Sequence, residues 1–140
     1  MEQLKLKNQL CFPFYSVSRL IIRKYQPYLE RLGITYPQYL VMLVLWENDN
    51  QPVNDIARTL FLQTNTITPL LKRLENQGIV RRIKSKYDER KVIVSLTGKG
   101  QQMKDEAVTI PSHLEEGIAL PREEIISIRE MLHRMIDLLK

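Results

Sequence analysis

A chain of 140 residues with a net charge of +5 and a single cysteine is sized for one domain and cannot form an internal disulfide. The segment MEQLKLKNQ lacks the apolar core of a secretory leader, and no run approaches the roughly 18 apolar residues of a membrane span, so a reduced, cytoplasmic protein is expected. The charge is uneven: Lys72 to Lys91 holds eight basic residues against Glu75, Asp88 and Glu89, which equals the whole excess of the chain and points to a polyanionic partner for that region.

From about Leu10 to Leu32, the residues Phe14, Val17, Ile21, Tyr25, Tyr28 and Leu32 recur every three or four places, the period of one helix face. A proline lacks an N–H and clashes with the carbonyl four residues back. Pro13 therefore belongs to the first turn, and the helix starts near Gln9 to Phe12 with Cys11 in or beside that turn. Pro27 is expected to kink the far end or break it. Thr35 is suited to cap a second helix, about Tyr36 to Glu47, with Pro37 near its start; its run YLVMLVLW is apolar on nearly all sides and belongs in the core. Asn54 or Val53 opens a short helix, NDIARTLF, and after LQT the stretch NTITPLLKRLENQG predicts another.

A cap at Asn65 or Thr66 would hold Pro69 in the first turn of that helix. Ile67, Leu70, Leu71 and Leu74 make its inner stripe, and Gly78 suits the C′ position. Two short helices with a tight link, the second polar at its N-terminus, describe a helix-turn-helix. IVRRIKS and KVIVSL flank KYDER as a β-hairpin with a charged tip, which must lean on the helices to be stable. Thr97 can cap a helix from about Gly98 to Val108, interrupted near Pro111. A last helix from Pro121 carries the stripe Ile125, Ile128, Leu132, Met135, Ile136 and Leu139. The fold class expected is mainly α with a small β-hairpin, a winged helix-turn-helix in one domain.

In such an arrangement the second helix enters the major groove of duplex DNA, and the hairpin tip follows the backbone or enters the adjacent minor groove. Thr64, Asn65, Thr66 and Thr68 are short hydrogen-bonding residues at the end of the helix that would face the bases, and Lys72 and Arg73 are placed to reach phosphates. At the tip, Asp88 is expected to pair with Arg90 and aim its guanidinium into a narrow minor groove, with Lys84 and Lys86 alongside. No metal or cofactor is expected: His113 and His133 stand far apart with no cysteine nearby, and GKG at 98–100 lacks the spacing of a phosphate loop.

The order of elements resembles the MarR family of bacterial transcription regulators. NQLCFPFY, ITYPQYLVMLVLWE, TPLLKRLE and DERKVIVSLT resemble its organic-hydroperoxide-sensing OhrR branch. The resemblance implies a homodimer on a pseudo-palindromic double-stranded DNA operator, with the DNA-binding lobe at about 50–97 and dimerisation helices at about 1–34 and 98–140. It implies that Cys11 meets an organic hydroperoxide, that Tyr15, Tyr25 and Tyr36 surround it, and that Tyr25 reaches it from the other subunit. Its recognition-helix triplet is Asp-Ser-Gly-like; here Gln63, Thr64 and Asn65 stand instead, polar and able to cap, so the resemblance implies DNA binding but not the operator sequence. Pro69 belongs to the same segment.

The chemistry of such a site is coherent. The positive end of a helix favours a thiolate, the reactive form of cysteine, and phenols donate hydrogen bonds to it and to the sulfenic acid it becomes. Tyr15, four residues after Cys11, shares its helix face, while Phe12, Phe14 and Trp46 can line an apolar pocket. The expected function is a non-enzymatic repressor that lets go of its operator when Cys11 is oxidised. Three alternatives stand beside it: a related regulator responding to a small phenolic ligand or general oxidants, a thiol-dependent peroxide reductase, and a helical interaction module without DNA.

Overall fold

A computed structural model describes the whole chain, Met1–Lys140. It holds seven α-helices and one three-stranded sheet, and it divides into two compact units. The first unit is Met1–Tyr25 with Thr109–Lys140, the second Gln26–Val108.

Helix α1 (Cys11–Leu32) begins where Pro13 requires, with Cys11 as its first residue. It runs through Pro27 without a break. Pro27 and Arg23 are both exposed, so water satisfies the Arg23 carbonyl that proline leaves without a donor. The helix ends on Gly33 at φ 72°, with the Ile34 N–H donating to the Leu29 carbonyl (3.2 Å) and the Gly33 N–H to Glu30 (3.0 Å). That pair of bonds satisfies carbonyls a helix end leaves open, and only glycine takes this φ freely.

Helix α2 (Tyr36–Glu47) opens on a capping box: the Gln38 N–H donates to Thr35 Oγ1 and the Thr35 N–H to Gln38 Oε1. Val41, Met42 and Leu45 are fully buried, which makes α2 the centre of the second unit as its composition predicts, although Leu43 faces outward. Gln38, the one buried polar side chain, is satisfied by donating to Gln77 Oε1 at 3.3 Å.

Strand β1 (Gln51–Pro52) leads into α3 (Val53–Thr59), a turn, and α4 (Thr64–Asn76). Strands β2 (Val80–Lys84) and β3 (Val92–Leu96) follow. The expected hairpin is therefore a three-stranded antiparallel sheet in the order β1-β3-β2, pairing Pro52 with Ile93 and Val80 with Leu96. Two residues carry too little pattern for a strand to be read from sequence, and Pro52 is tolerated because β1 lies at the sheet edge. Asp49 fastens the start of β1 to β3 by accepting the Leu96 N–H at 2.9 Å.

Helix α4 corrects one expectation. It starts at Thr64, capped by the backbone of Gln63, not at Asn65 or Thr66, so Pro69 is its sixth residue and lies beyond the first turn. A tertiary bond sets this start: Thr64 Oγ1 donates to Asn54 Oδ1 at 3.1 Å, and the Ile67 N–H bonds to Gln63. Pro69 is exposed, so the carbonyl it leaves without a donor is open to water. The inner stripe Ile67, Leu70, Leu71 and Leu74 is buried as predicted, and Gly78 (φ 75°) closes the helix with the bond pattern seen at Gly33.

Helix α5 (Gly98–Ala107) is capped by Thr97, whose Oγ1 accepts the Gly100 N–H. The interruption expected near Pro111 falls just before it, at Val108 and Thr109, and Pro111 is the second residue of α6 (Ile110–Ile118). Ala119 in the left-handed region (φ 61°) then joins α6 to α7 (Arg122–Leu139). The first unit is poor in interior: no residue of α7 is buried, and Leu10, Phe12, Phe14, Val17 and Leu20 are exposed together with Ile128, Met131, Leu132 and Ile136.

Gly100 is the tightest backbone approach in the fold. A Cβ there would lie 2.3 Å from the Ile79 carbonyl oxygen. Gly100→Ala is expected to destabilise the protein by about 1–3 kcal/mol, the cost of overpacking, seen as a lower midpoint in thermal melting by circular dichroism. An unchanged midpoint would mean that α5 shifts freely.

Candidate functional site

The basic region becomes a built surface in the second unit. Buried leucines anchor the inner side of α4, so its outer side is presented whole: Gln63, Thr64, Asn65, Thr66, Pro69, Lys72 and Arg73 are exposed and Thr68 is half-buried. Thr68 spends its hydroxyl on the Thr64 carbonyl (2.9 Å), and Thr64 on Asn54, so Asn65 and Thr66 are the short polar side chains left to face a ligand. The turn before α4 places Phe61 at φ 55° with its ring outside.

The β2–β3 wing stands beside this helix and is locked to it. Glu75, on the last turn of α4, accepts three hydrogen bonds from Arg82 of β2: from the backbone N–H at 3.0 Å, from Nε at 3.3 Å and from Nη2 at 3.0 Å. The Arg82 guanidinium holds the Glu75 carboxyl below its ordinary range, through the side-chain bonds first and the backbone bond second. Arg82 is thus spent on structure. Its role escapes sequence reading because seven residues and a change from helix to strand separate the pair.

Lys84, Lys86, Asp88 and Arg90 are all exposed on the wing. Asp88 does not pair with the Arg90 guanidinium as expected; its Oδ1 accepts the Arg90 backbone N–H at 3.0 Å. A short acceptor two residues ahead of an N–H closes a local turn more readily than it reaches a long side chain. Between the wing and the helices lies a cleft of about 320 Å³, lined among others by Asn54, Arg58, Thr64, Thr68, Arg82 and Arg90. Arg58 and Lys91, which also line it, were not singled out from sequence.

The thiol lies in the other unit. Cys11 is exposed at the first position of α1, so a single chain does not bury its thiol. Tyr15 stands one turn on, largely exposed, with the Arg19 guanidinium 4.9 Å from its ring centre. Phe12 and Phe14 are exposed nearby. Tyr25 is half-buried and fourteen residues along the same helix, about 21 Å at 1.5 Å per residue, beyond reach of its own Cys11. Tyr36, in the second unit, is half-buried at the start of α2, its ring 6.2 Å from that of Tyr39. Burial raises the Tyr36 phenol, which keeps it a hydrogen-bond donor. Trp46 is committed elsewhere: its indole N–H donates to the Gly100 carbonyl at 2.9 Å and its ring meets Tyr39 edge-on at 6.4 Å.

Comparison with known proteins agrees with this geometry. Residues 23–107 match the family described as Transcriptional regulator SarA/Rot. The organic hydroperoxide resistance transcriptional regulator of Bacillus subtilis (strain 168) is 40% identical over 138 residues, covering 99% of this chain and 94% of its own. AbfR of Staphylococcus epidermidis is similar in structure. Reduced AbfR bound to DNA superposes with a TM-score of 0.79 at 42% identity, covering 99% of this chain and 96% of that one. Overoxidised AbfR on DNA gives 0.77, and disulfide-formed AbfR 0.67. The MepR–DNA complex of S. aureus gives 0.82 at 25% identity, covering 94% and 98%.

The Glu75–Arg82 lock has a pH signature. A carboxyl held below its ordinary value contributes stability that is present above about pH 4.3 and lost as pH falls through the depressed value. Glu75→Gln is expected to cost about 1 kcal/mol or less at pH 7, the range for a solvent-screened pair, and less at pH 3. Urea denaturation at both pH values measures it; an equal deficit at both would show that packing, not charge, matters at this position.

Proposed function

We propose, given that this chain belongs to the SarA/Rot family of MarR-type transcriptional regulators, that it is a dimeric DNA-binding repressor whose operator affinity falls when an organic hydroperoxide oxidises Cys11. The observation that carries the DNA half is the lock between α4 and the wing. Two basic elements held in fixed relation can enter neighbouring grooves of one duplex without paying to order themselves on binding. Gln63, Asn65 and Thr66 then face base edges at the head of α4, Lys72 and Arg73 take phosphates, and Arg90 with Lys84 and Lys86 brings charge to the minor groove. Asp88 shapes the tip that carries Arg90.

Dimerisation is supported by the apolar side chains that the first unit leaves exposed on α1 and α7, a surface that a soluble monomer rarely shows. A second copy covering that face gives a two-fold axis, which matches a pseudo-palindromic operator. We assign DNA contact to residues about 50–97 and dimerisation to about 1–34 and 98–140, in a cytoplasmic setting where thiols stay reduced.

The redox step starts at Cys11 Sγ. The thiolate attacks the outer peroxide oxygen, the O–O bond breaks, and sulfur takes the oxygen as a sulfenic acid while the remainder leaves as alkoxide and is protonated to the alcohol. Tyr15 on the same face, with Tyr25 and Tyr36 supplied by the partner copy, donate hydrogen bonds to the sulfur and its oxygen. The oxidised group no longer fits the apolar packing around it, and the altered dimer interface changes the spacing of the two recognition helices. The chain acts as a switch and turns nothing over. Overoxidised AbfR is found on DNA, so exposure is limited to about one equivalent of peroxide in testing this chain.

Fluorescence anisotropy with DNA from upstream of the protein's own gene tests the proposal. Cumene hydroperoxide should weaken wild-type binding at least tenfold and leave Cys11→Ser unaffected. Equal release of both removes Cys11 as the sensor, and sustained peroxide consumption with a thiol reductant would mark an enzyme. Separately, Leu132→Glu should convert dimer to monomer in sedimentation and lower operator affinity at least tenfold. A variant that stays dimeric rejects the α7 face as the interface.

A further inference from the structure

The wing tip carries a residue that the DNA-binding set above leaves out. Tyr87 is the last aromatic of the sequence and is 100% exposed, its ring touching nothing in the chain. The last pair of the β2–β3 ladder is Lys84 with Val92, so residues 85–91 project beyond the sheet. They are held in place by a small network. The Ser85 N–H donates to the Lys91 carbonyl at 2.8 Å, and the Lys91 N–H to the Asp88 carbonyl at 2.9 Å. The Tyr87 N–H donates to Ser85 Oγ at 3.2 Å, and the Arg90 N–H to Asp88 Oδ1 at 3.0 Å. A braced tip fixes where the ring starts from and lowers the cost of ordering it against a partner.

The surroundings select the partner's chemistry. Lys86, Arg90 and Lys91 stand on the same tip as Tyr87, all three exposed, and none of them is engaged in an ion pair. A polyanion drawn to those three cations arrives at the phenol as well. A phenol donates one hydrogen bond, and tyrosine is among the residues that meet phosphate oxygens on duplex DNA. We infer that the Tyr87 hydroxyl donates a hydrogen bond to a backbone phosphate beside the minor groove that Arg90 enters, anchoring the wing tip without adding charge. This rests on the DNA-binding function proposed above and adds to it a neutral contact with its own experimental signature.

Each cation–phosphate contact releases counterions and steepens the fall of affinity with salt, whereas a phenol contact releases none. Operator binding is therefore measured by anisotropy across a salt series for the wild type, Tyr87→Phe and Lys86→Ala. Tyr87→Phe should bind about five- to a hundredfold more weakly at every salt concentration, the worth of two neutral hydrogen bonds, one from each wing of the dimer, along a line parallel to the wild type's. Lys86→Ala should flatten the slope by about 1.8, because each dimer loses two phosphate contacts. Thermal midpoints should be unchanged, because the lost hydroxyl meets no other atom of the chain. A Tyr87→Phe line that coincides with the wild type's, or one with a changed slope, overturns the inference while leaving the regulator intact. Wild-type binding that ignores salt would overturn both.

Discussion

Glu75 accepts three hydrogen bonds from one arginine, and the placing of the wing against α4 depends on that contact. The backbone bond caps an N–H on β2, an edge strand whose open groups would otherwise invite pairing with another chain. The guanidinium bonds tie β2 to α4, whose own inner face is sunk among Ile67, Leu71 and Leu74. Rigidity in the core is thereby passed to a wing that could not be rigid alone, since a short ribbon is marginal in water. A pair of opposite charges that looks like ordinary surface composition in the chain acts in the fold as the hinge pin between two recognition elements.

The two units answer the hydrophobic effect differently. The second unit closes on itself: α2 runs through its middle, and side chains from α3, α4, β2, β3 and α5 are buried there. The first unit leaves long apolar stripes in water, and α7 has no buried residue at all. Helices draw most of their stability from a packed face, and the helices of this unit leave much of theirs unpacked within one chain. The thiol sits at the head of α1, within that incomplete unit. At the other end of α1, Gln77 from the end of α4 donates to the Gly33 carbonyl at 2.6 Å.

Local rules were readable wherever one residue type has one conformational use. Pro13 located the start of α1, Thr35 the cap that opens α2, and Gly78 the end of α4. The inner stripe of α4 was readable from its period alone. Where a local rule competed with a tertiary bond, it lost: Pro69 argued for a later helix start, but the Thr64–Asn54 bond and the Gln63 cap begin α4 earlier. The partner of the Trp46 indole N–H, the Gly100 carbonyl, was not readable in the sequence, since 54 residues separate the two.

By itself, the sequence determined the order and type of the helices, the concentration of positive charge between Lys72 and Lys91, and the place of a lone cysteine at a helix head. These follow from periodicity, charge and the fixed geometry of proline and glycine, all of which act over a few residues. Only the tertiary structure decided that Arg82 serves Glu75 instead of a ligand, that Asp88 shapes the tip instead of aiming Arg90, and that a two-residue third strand completes the sheet. The physical reason is the same in each case. A hydrogen-bonding group takes whichever partner the folded chain brings within about 3 Å, and separation along the sequence does not reveal which partner that will be.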